Sequence, residues 1–577
     1  MTHNPKDKKN NSSKISTSAW RTLAILGSSI LITMYGETML LPAIPDIIRE
    51  FNISYNTSSW ILTAYLIAGA VMTPIAGKLS DIYGRKKMVL IIMVIYIIGI
   101  SLGGFSSDIA FLIISRVIQG IGIAMFPIAF GIVRDQFPPE KLAIGIGTFS
   151  AMFAAGSVVG LAIGGSIIQN FGWRTTFFSI IPLSITLWFI IKKFIYDIQY
   201  QYPSAKQFST LEESDESIDN VVTNQQKQQQ PPATAANVRA NKIRNDSDMK
   251  DATIYSNINS SIDIKGAIAL AITITSFLLI LSYLGTAVST NYDIGNEETG
   301  TAGTGGGREG EATSSYNTPL PPQIIGGFLS AGAISLTLFI IIEKRAKAPL
   351  VDFKLISNKI ILPSNILLLI SFLSMFTVYQ TIPILVRSPI AAGGFGGDPL
   401  ATANIQLPFM IVFLFFAPFS GFIISKLGNI KPTFIGSIIA AVGFFSIFIL
   451  HSSPPMVAGT LAIIATGLSL IQVGAFNIVL ESSPRHLSGI SLGMTVLLNL
   501  IGGAVGPTIA GIIMQMNQVF ISGNMAGISM AGSFPSPQSY NLIFLFIALL
   551  SLVSIALVLI IKKNTNASRL LAAEDIK

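Results

Sequence analysis

The sequence predicts an all-α integral membrane protein of fourteen transmembrane helices, built as two six-helix halves with two helices inserted between them. Three observations carry this. About half of the 577 residues are hydrophobic and only 11% are charged, against roughly 25% charged in soluble domains. Apolar stretches of spanning length recur along the chain. Lys and Arg also fall on one side. With alternate loops assigned to the inside, starting at the N-terminus, only Arg49, Arg174, Arg308 and Arg387 of the 37 basic residues lie outside, and Arg116 lies within a span. That asymmetry is how membrane helices are oriented, and a missed span would scramble it downstream.

The first six spans are expected at 21–44, 58–79, 88–105, 109–133, 142–168 and 175–195. Lys6, Lys8, Lys9 and Lys14 precede an apolar run, as in a signal peptide, but Leu23 to Ile44 is too long for one and contains a carboxylate. Two further spans are expected at 263–285 and 321–343, and the last six at 360–386, 403–425, 432–451, 456–481, 488–515 and 540–561. This divides the chain into a cytoplasmic tail (1–20), a first half (21–196), a linker (197–261), an inserted pair (262–358), a second half (359–562) and a cytoplasmic tail (563–577). The linker carries QQKQQQPP at its middle and too little apolar content to bury a core, so it reads as disordered. Residues 286–320 read as a solvated acidic external loop, with Asp293, Glu297, Glu298, Glu309 and Glu311 against Arg308.

The halves repeat each other. Gly77 and Gly84 recur as Gly421 and Gly428, and Pro139 to Leu142 (PEKL) as Pro484 to Leu487 (PRHL). Gly156, Gly160 and Gly165 recur as Gly502, Gly506 and Gly511. Three matches in one order, each offset by roughly 345 residues, imply two related halves.

Trp60 to Ala76 is apolar and runs directly into a segment bearing Lys78, Asp81, Arg85, Lys86 and Lys87, as a span does on reaching the cytoplasm. The glycines around Asp81 suit a tight two-helix connection, because such a turn visits positive φ. Residues 77–86, GKLSDIYGRK, fill every defined position of the loop pattern G-x-L-(A/S)-D-x-x-G-R-(K/R). The segment resembles the loop between spans 2 and 3 of the major facilitator superfamily. The preceding Trp60-x-x-Thr63-Ala-Tyr65-Leu, and Glu343 to Asp352 (EKRAKAPLVD), resemble its fourteen-span drug:proton antiporters. The resemblance covers nearly all of the chain outside the linker, the tails and the acidic loop. It implies the major facilitator fold, with Gly77, Asp81, Gly84, Arg85 and Lys86 forming a cytoplasmic gating latch and Asp81 facing a helix N-terminus. Arg134 and Asp135 are plausible partners. The alternative, a solvated positive-inside loop, accounts for Lys78 and Lys87 but not for Gly77, Asp81 and Gly84 together.

Glu37 is the one carboxylate placed deep within a span, where an ionisable group costs roughly 2.5–3.5 kcal/mol or more. It lies about 24 Å along span 1, and Arg116 lies roughly 10 Å into span 4 from the other end, so the two are at similar depth. Arg116, Gln119 and Gly120 resemble the family's span-4 motif R-x-x-Q-G, whose arginine is linked to proton coupling. The resulting hypothesis is that Glu37 takes up and releases a proton beside Arg116, and that a cationic solute competes for the same acid. The alternatives are a fixed Glu37–Arg116 pair or a Glu37 reaching the outer interface. The family usually places an Asp two residues before a span-1 Thr. Here that position is Gly36, so the acid is rotated by about 100° on the helix.

Gly156, Gly160 and Gly164, with Gly165 beside them, form a small-residue stripe that lets helices approach closely. It resembles the antiporter signature G-x-x-x-G-P-x-x-G-G, with Leu161 in place of Pro. The second half keeps Gly502, Gly506 and Pro507. Ordinary packing is the competing account. Tyr35, Tyr65, Phe126, Tyr379, Gln380, Gln472 and Asn477 are candidate cavity residues, since apolar walls with a few polar groups suit bulky amphipathic ligands. Each taken singly also fits packing alone.

The chain has no cysteine, which excludes thiol chemistry and zinc–thiolate sites, and three scattered histidines, His3, His451 and His486. It lacks a G-x-x-x-x-G-K-[ST] motif. The reading is therefore a transporter rather than an enzyme, with no cofactor, whose partners are a small-molecule substrate, protons and the lipid bilayer. No nucleic-acid partner is expected, because the basic residues sit in loops between spans. A monomer in the plasma membrane with both termini cytoplasmic is expected. Proton-coupled export of drug-like compounds stands against a metabolite importer on the same fold, and against a non-transporting receptor or scaffold.

Overall fold

The computed structural model describes residues 16–137, 142–195, 265–280, 322–346, 353–483, 488–525 and 528–574. Among them, thirteen helical segments are long and apolar enough to cross a membrane. The first half comprises α1 (Thr17–Thr38), α2 (Ile44–Phe51), α3 (Tyr55–Tyr83), α4 (Arg85–Gly104), α5 (Ile109–Gly120), α6 (Met125–Gln136), α7 (Leu142–Phe171) and α8 (Trp173–Phe194). Between the halves lie α9 (Lys265–Ile280), α10 (Pro322–Arg345) and the short α11 (Phe353–Ile356). The second half comprises α12 (Ile361–Arg387), α13 (Pro399–Leu427), α14 (Ile430–Ile449), α15 (Pro454–Ser482), α16 (Ser488–Met516), a hairpin β1 (Gln518–Met525) and β2 (Ile528–Pro535), and α17 (Pro537–Glu574).

The expected count of fourteen is thus not reached by described residues, because the seventh span is described only as the shorter apolar helix α9. The linker 197–261, the acidic loop 286–320 and the PEKL and PRHL repeats lie largely or wholly outside the described residues. Three differences from the sequence expectation are local. Span 1 ends at Thr38 and passes through a 3-10 turn at Leu41–Ala43 into amphipathic α2; Pro42 and Pro45 cannot donate backbone hydrogen bonds to continue α1. Span 4 is interrupted by a 3-10 turn at Ile121–Ala124. The tail expected from 563 continues α17 as helix to Glu574.

Helix starts follow local chemistry. Side chains of Ser16, Ser54, Asp108 and Asp398 accept from backbone N–H groups in the first turns of α1, α3, α5 and α13, satisfying donors that helix geometry leaves free. Gly84, at φ +93°, is the whole connection between α3 and α4, and Gly428, at φ +76°, with Asn429 makes the equivalent connection between α13 and α14. Gly77 and Gly421 are different: both lie within helices and a Cβ at either would meet nothing within 4 Å. Only the second glycine of each pair serves the turn.

Buried apolar side chains form two clusters. One lies within α1–α8, and the other gathers the second half with α9, α10 and part of α3 and α7. The halves join where α3 packs on α16 and α7 packs on α13. These pairings are equivalent under the repeat, as are α1 on α7 and α12 on α16.

Candidate functional site

Arg116 is fully buried in α5. A guanidinium out of water needs acceptors around it. Its Nε donates to the Ile61 carbonyl at 3.0 Å, and Nη1 donates to the Gly36 carbonyl at 3.2 Å and to Gln119 Oε1 at 2.7 Å. The Gly36 carbonyl belongs to the last turn of α1, where carbonyls lack intrahelical donors. Gln119 Nε2 also donates to it, at 3.4 Å. The guanidinium lies 4.4 Å from the Tyr65 ring centroid, a cation–π contact. Arg116 Nη2 has no partner among the described residues. Tyr96 closes the cluster by donating its hydroxyl to the Ile32 carbonyl at 2.9 Å. Arg116 therefore ties α1, α3 and α5 through backbone carbonyls. Tyr96 was not among the sequence candidates; a lone phenol at mid-span depth in α4 was its only signal.

Glu37 follows Gly36 directly and is 6% exposed. No ion pair within 4 Å joins it to Arg116 among the described residues, although the two interact electrostatically. Its carboxylate makes no hydrogen bond to a described residue. Tyr65 and Tyr96 of its own half and Tyr379 of the other lie within electrostatic range of Glu37. The acid thus lies inside the protein and is neither locked in a pair nor turned to lipid. Position 36 has no room for a side chain. A Cβ at Gly36 would run into the Tyr96 hydroxyl and come within 2.8 Å of Gln119 Nε2.

The glycine stripe sets this turn of α1 in place. A Cβ at Gly156, Gly160 or Gly164 would strike α1 at Leu31 and Met34, at Tyr35 and Thr38, or at Met39, respectively. Thr38 Oγ1 donates to the Ser157 carbonyl at 3.0 Å across the same contact. Gly165 faces elsewhere, 2.5 Å from Ala403 of α13 for a built Cβ. The second half repeats the pattern: Gly502 and Gly506 meet α12 at Leu369 and Leu373, and Gly511 meets α3 at Tyr55 and Asn56. Pro507 lies within α16, and Leu161, its counterpart in the first half, is fully buried against the second-half cluster. Gly120 likewise admits the Tyr65 carbonyl. Replacing Gly160 by Val is expected to lower the thermal midpoint of the purified protein by several degrees and to stop transport. Gly493→Ala, where a Cβ meets nothing within 4 Å, is expected to leave both unchanged.

The other sequence candidates each make local contacts of their own. The Tyr35 hydroxyl bonds with Ser179 Oγ at 2.8 Å within the first half. Phe126 stacks edge-on with Phe153, at 6.1 Å between centroids. Tyr379 packs edge-on against Phe409, at 5.8 Å between centroids, and its hydroxyl donates to Met410 Sδ at 3.5 Å. Gln472 Nε2 lies 4.0 Å from Met375 Sδ, and Asn477 is half-buried on α15. In the gating segment, the side chains of Asp81, Arg134 and Asp135 lie outside the described residues. Arg85 packs beside Gly131 of α6, its Cζ 3.1 Å from a built Cβ there. Lys86 and Lys78 engage neighbours as well.

One end of the bundle is bridged by polar contacts between the halves. Arg387 of α12 grips Asp46 of α2 with two donors, Nη1 at 2.9 Å and Nη2. Gln380 Nε2 donates to Ser58 Oγ at 2.9 Å and Thr63 Oγ1 to the Ala504 carbonyl at 2.9 Å. The Tyr55 backbone N–H donates to Gln515 Oε1 at 3.2 Å, and its hydroxyl to the Ser533 carbonyl of β2 at 3.2 Å. Asp46, Trp173, Arg387 and Pro399 line a cleft of about 270 Å³ at this end. At the other end, Gly77, Gly421 and Gly493 face open space.

The family model described as Major Facilitator Superfamily matches residues 26–507. The tetracenomycin C resistance and export protein of Streptomyces glaucescens is 22% identical over 498 residues, covering 86% of this chain and 76% of that protein. The multidrug transporter protein MdtP of Bacillus subtilis (strain 168) is 25% identical over 513 residues, covering 88% and 76%. Among solved structures, the human organic anion transporter MFSD10 (TETRAN) aligns with a TM-score of 0.54 at 12% identity, covering 94% of this chain and all of that one. An auto-inhibited POT family peptide transporter aligns equally well, and at such identities the likeness speaks for the fold.

Proposed function

Because the chain belongs to the major facilitator superfamily, and is a membrane transporter rather than an enzyme, we propose that it exports small lipophilic organic cations in exchange for protons. The observation that carries this is Glu37, a carboxylate buried without a hydrogen bond or ion pair between the two halves. A carboxylate held away from bulk water favours either a proton or a nearby cation. A proton and a cationic solute therefore exclude each other at one acid, which is the requirement for exchange. Arg116 holds its charge nearby but commits Nε and Nη1 to the Ile61 and Gly36 carbonyls and Gln119 Oε1, so it biases Glu37 without cancelling it. The relative named as a resistance and export protein for tetracenomycin C, with a second named as a multidrug transporter, favours export over metabolite import.

In this reading the basic loops face the cytoplasm, both termini are cytoplasmic, and the Asp46 end faces outward. The structure is then closed outside and receives substrate from within. The halves rock about the Glu37 level, as alternating access requires. External protons neutralise the acid and release the cation. The protein works as a monomer in the plasma membrane. Dye efflux from reconstituted vesicles under an imposed pH gradient tests this. Efflux that ignores the gradient would defeat the coupling, and uptake against an outward gradient would favour the importer. Deleting 205–255 separates out the scaffold reading, because export is expected to survive the deletion.

The Asp46–Arg387 bridge is expected to act as the outer latch. The chain has no cysteine, so a single Ser59→Cys, buried where α3 meets α16, reports opening directly. Adding Asp46→Asn is expected to raise labelling by a membrane-impermeant maleimide about fivefold, the effect of a partly exposed pair worth about 1 kcal/mol. Unchanged labelling would show that the bridge does not hold the outer end shut.

A further inference from the structure

Gln406 of α13 is 2% exposed, and neither its Oε1 nor its Nε2 has a partner among the described residues. A buried amide with both ends unmet carries a desolvation penalty that an apolar side chain of the same length avoids. Buried polar groups are nearly always bonded, so this one asks for a partner that comes and goes.

Its place in the fold says where that partner sits. Gln406 lies three residues beyond Ala403, hence on the same side of α13. Ala403 meets Gly165 of α7. The two helices run antiparallel, so one turn deeper along α13 corresponds to one turn back along α7, at Leu161 and Ala162, the level of the neighbouring Gly160. Gly160 packs on Tyr35 and Thr38, the turn of α1 that bears Glu37. Gln406 is therefore at the depth of Glu37, on the opposite half. One turn on, Phe409 and Met410 hold Tyr379, which lies within electrostatic range of Glu37.

We propose that Gln406 is the hydrogen-bonding subsite of the transport site. It takes a neutral donor or acceptor of the substrate, such as an aryl amine, hydroxyl or carbonyl, while Tyr379 and Phe409 form an aromatic wall and Glu37 takes the cationic centre. This rests on the proposed export of lipophilic cations and narrows it to cations that also carry such a group.

The test uses full-length purified protein and two probes. Ethidium carries exocyclic amines that donate hydrogen bonds; tetraphenylphosphonium carries a charge and no hydrogen-bonding group. Gln406→Met is expected to weaken ethidium binding about tenfold and to leave tetraphenylphosphonium binding within about twofold. It is also expected to melt no lower than the parent protein, whereas a purely structural amide would lower the melting temperature. Gln406→Leu, should the first variant fail to assemble, carries the same expectation. Equal weakening of both probes, or no change in either, overturns the subsite. If the parent protein binds neither cation, the export reading fails and the subsite with it.

Discussion

Glu37→Gln is expected to reduce pH-driven dye efflux to the protein-free background while the protein still reaches the membrane. Gln keeps the length and the polarity of Glu37, so packing in the last turn of α1 is retained and only the exchangeable charge is lost. Binding gives a second readout with a definite sign. In the parent protein, affinity for a cation such as tetraphenylphosphonium should rise with pH, because the deprotonated acid attracts it and the protonated acid does not. In the Gln variant that dependence should flatten, with affinity near the parent's low-pH value. The loss should be tenfold or more, since a charge pair away from water is worth roughly 2 kcal/mol or above. Glu37→Asp should restore part of both. Retention of a steep pH dependence by Glu37→Gln would place the proton elsewhere.

Arg116→Ala is expected to be the most destabilising single change in the first half. It strips donors from the Ile61 and Gly36 carbonyls and from Gln119 Oε1, and opens a cavity beside the Tyr65 ring. Breaking a buried charged network of this kind costs about 3–5 kcal/mol. Arg116→Lys keeps the charge but not the fork, and one ammonium cannot replace Nε toward α3 and Nη1 toward α1 and Gln119 together. The expected order of thermal midpoints in detergent is parent, then Lys, then Ala, with transport lost in both variants. An Ala variant that melts with the parent protein would mean that this cluster does not hold α1, α3 and α5 together.

Much of the architecture was readable from the chain. The apolar runs located most of the spans to within a few residues; the run read as 58–79, for example, is the core of Tyr55–Tyr83. The glycine repeat read at Gly156 and Gly502 is a repeat of packing partners, α1 in one half and α12 in the other. What was missed involved breaks and partners. The 3-10 turn after Gly120 leaves hydropathy untouched. The hairpin at 518–535 has no strong alternation in its sequence. Gly77 resembled a turn glycine because its neighbourhood did, yet it stands inside α3. Nothing in the sequence pairs Asp46 with Arg387 of the other half, which grips it.

The sequence by itself determined that the chain is membrane-embedded, that its halves are related, and which few polar residues stand in oil. Each of these is a sum over one segment or a comparison of two, and needs no knowledge of how helices face each other. Tertiary structure decided everything that turns on rotation. A step of one residue swings a side chain by about 100°, enough to exchange a neighbouring helix for an open interface. That step separates Gly36, whose carbonyl Arg116 holds and whose Cα has no room for a side chain, from Glu37, which stands unbonded between the halves.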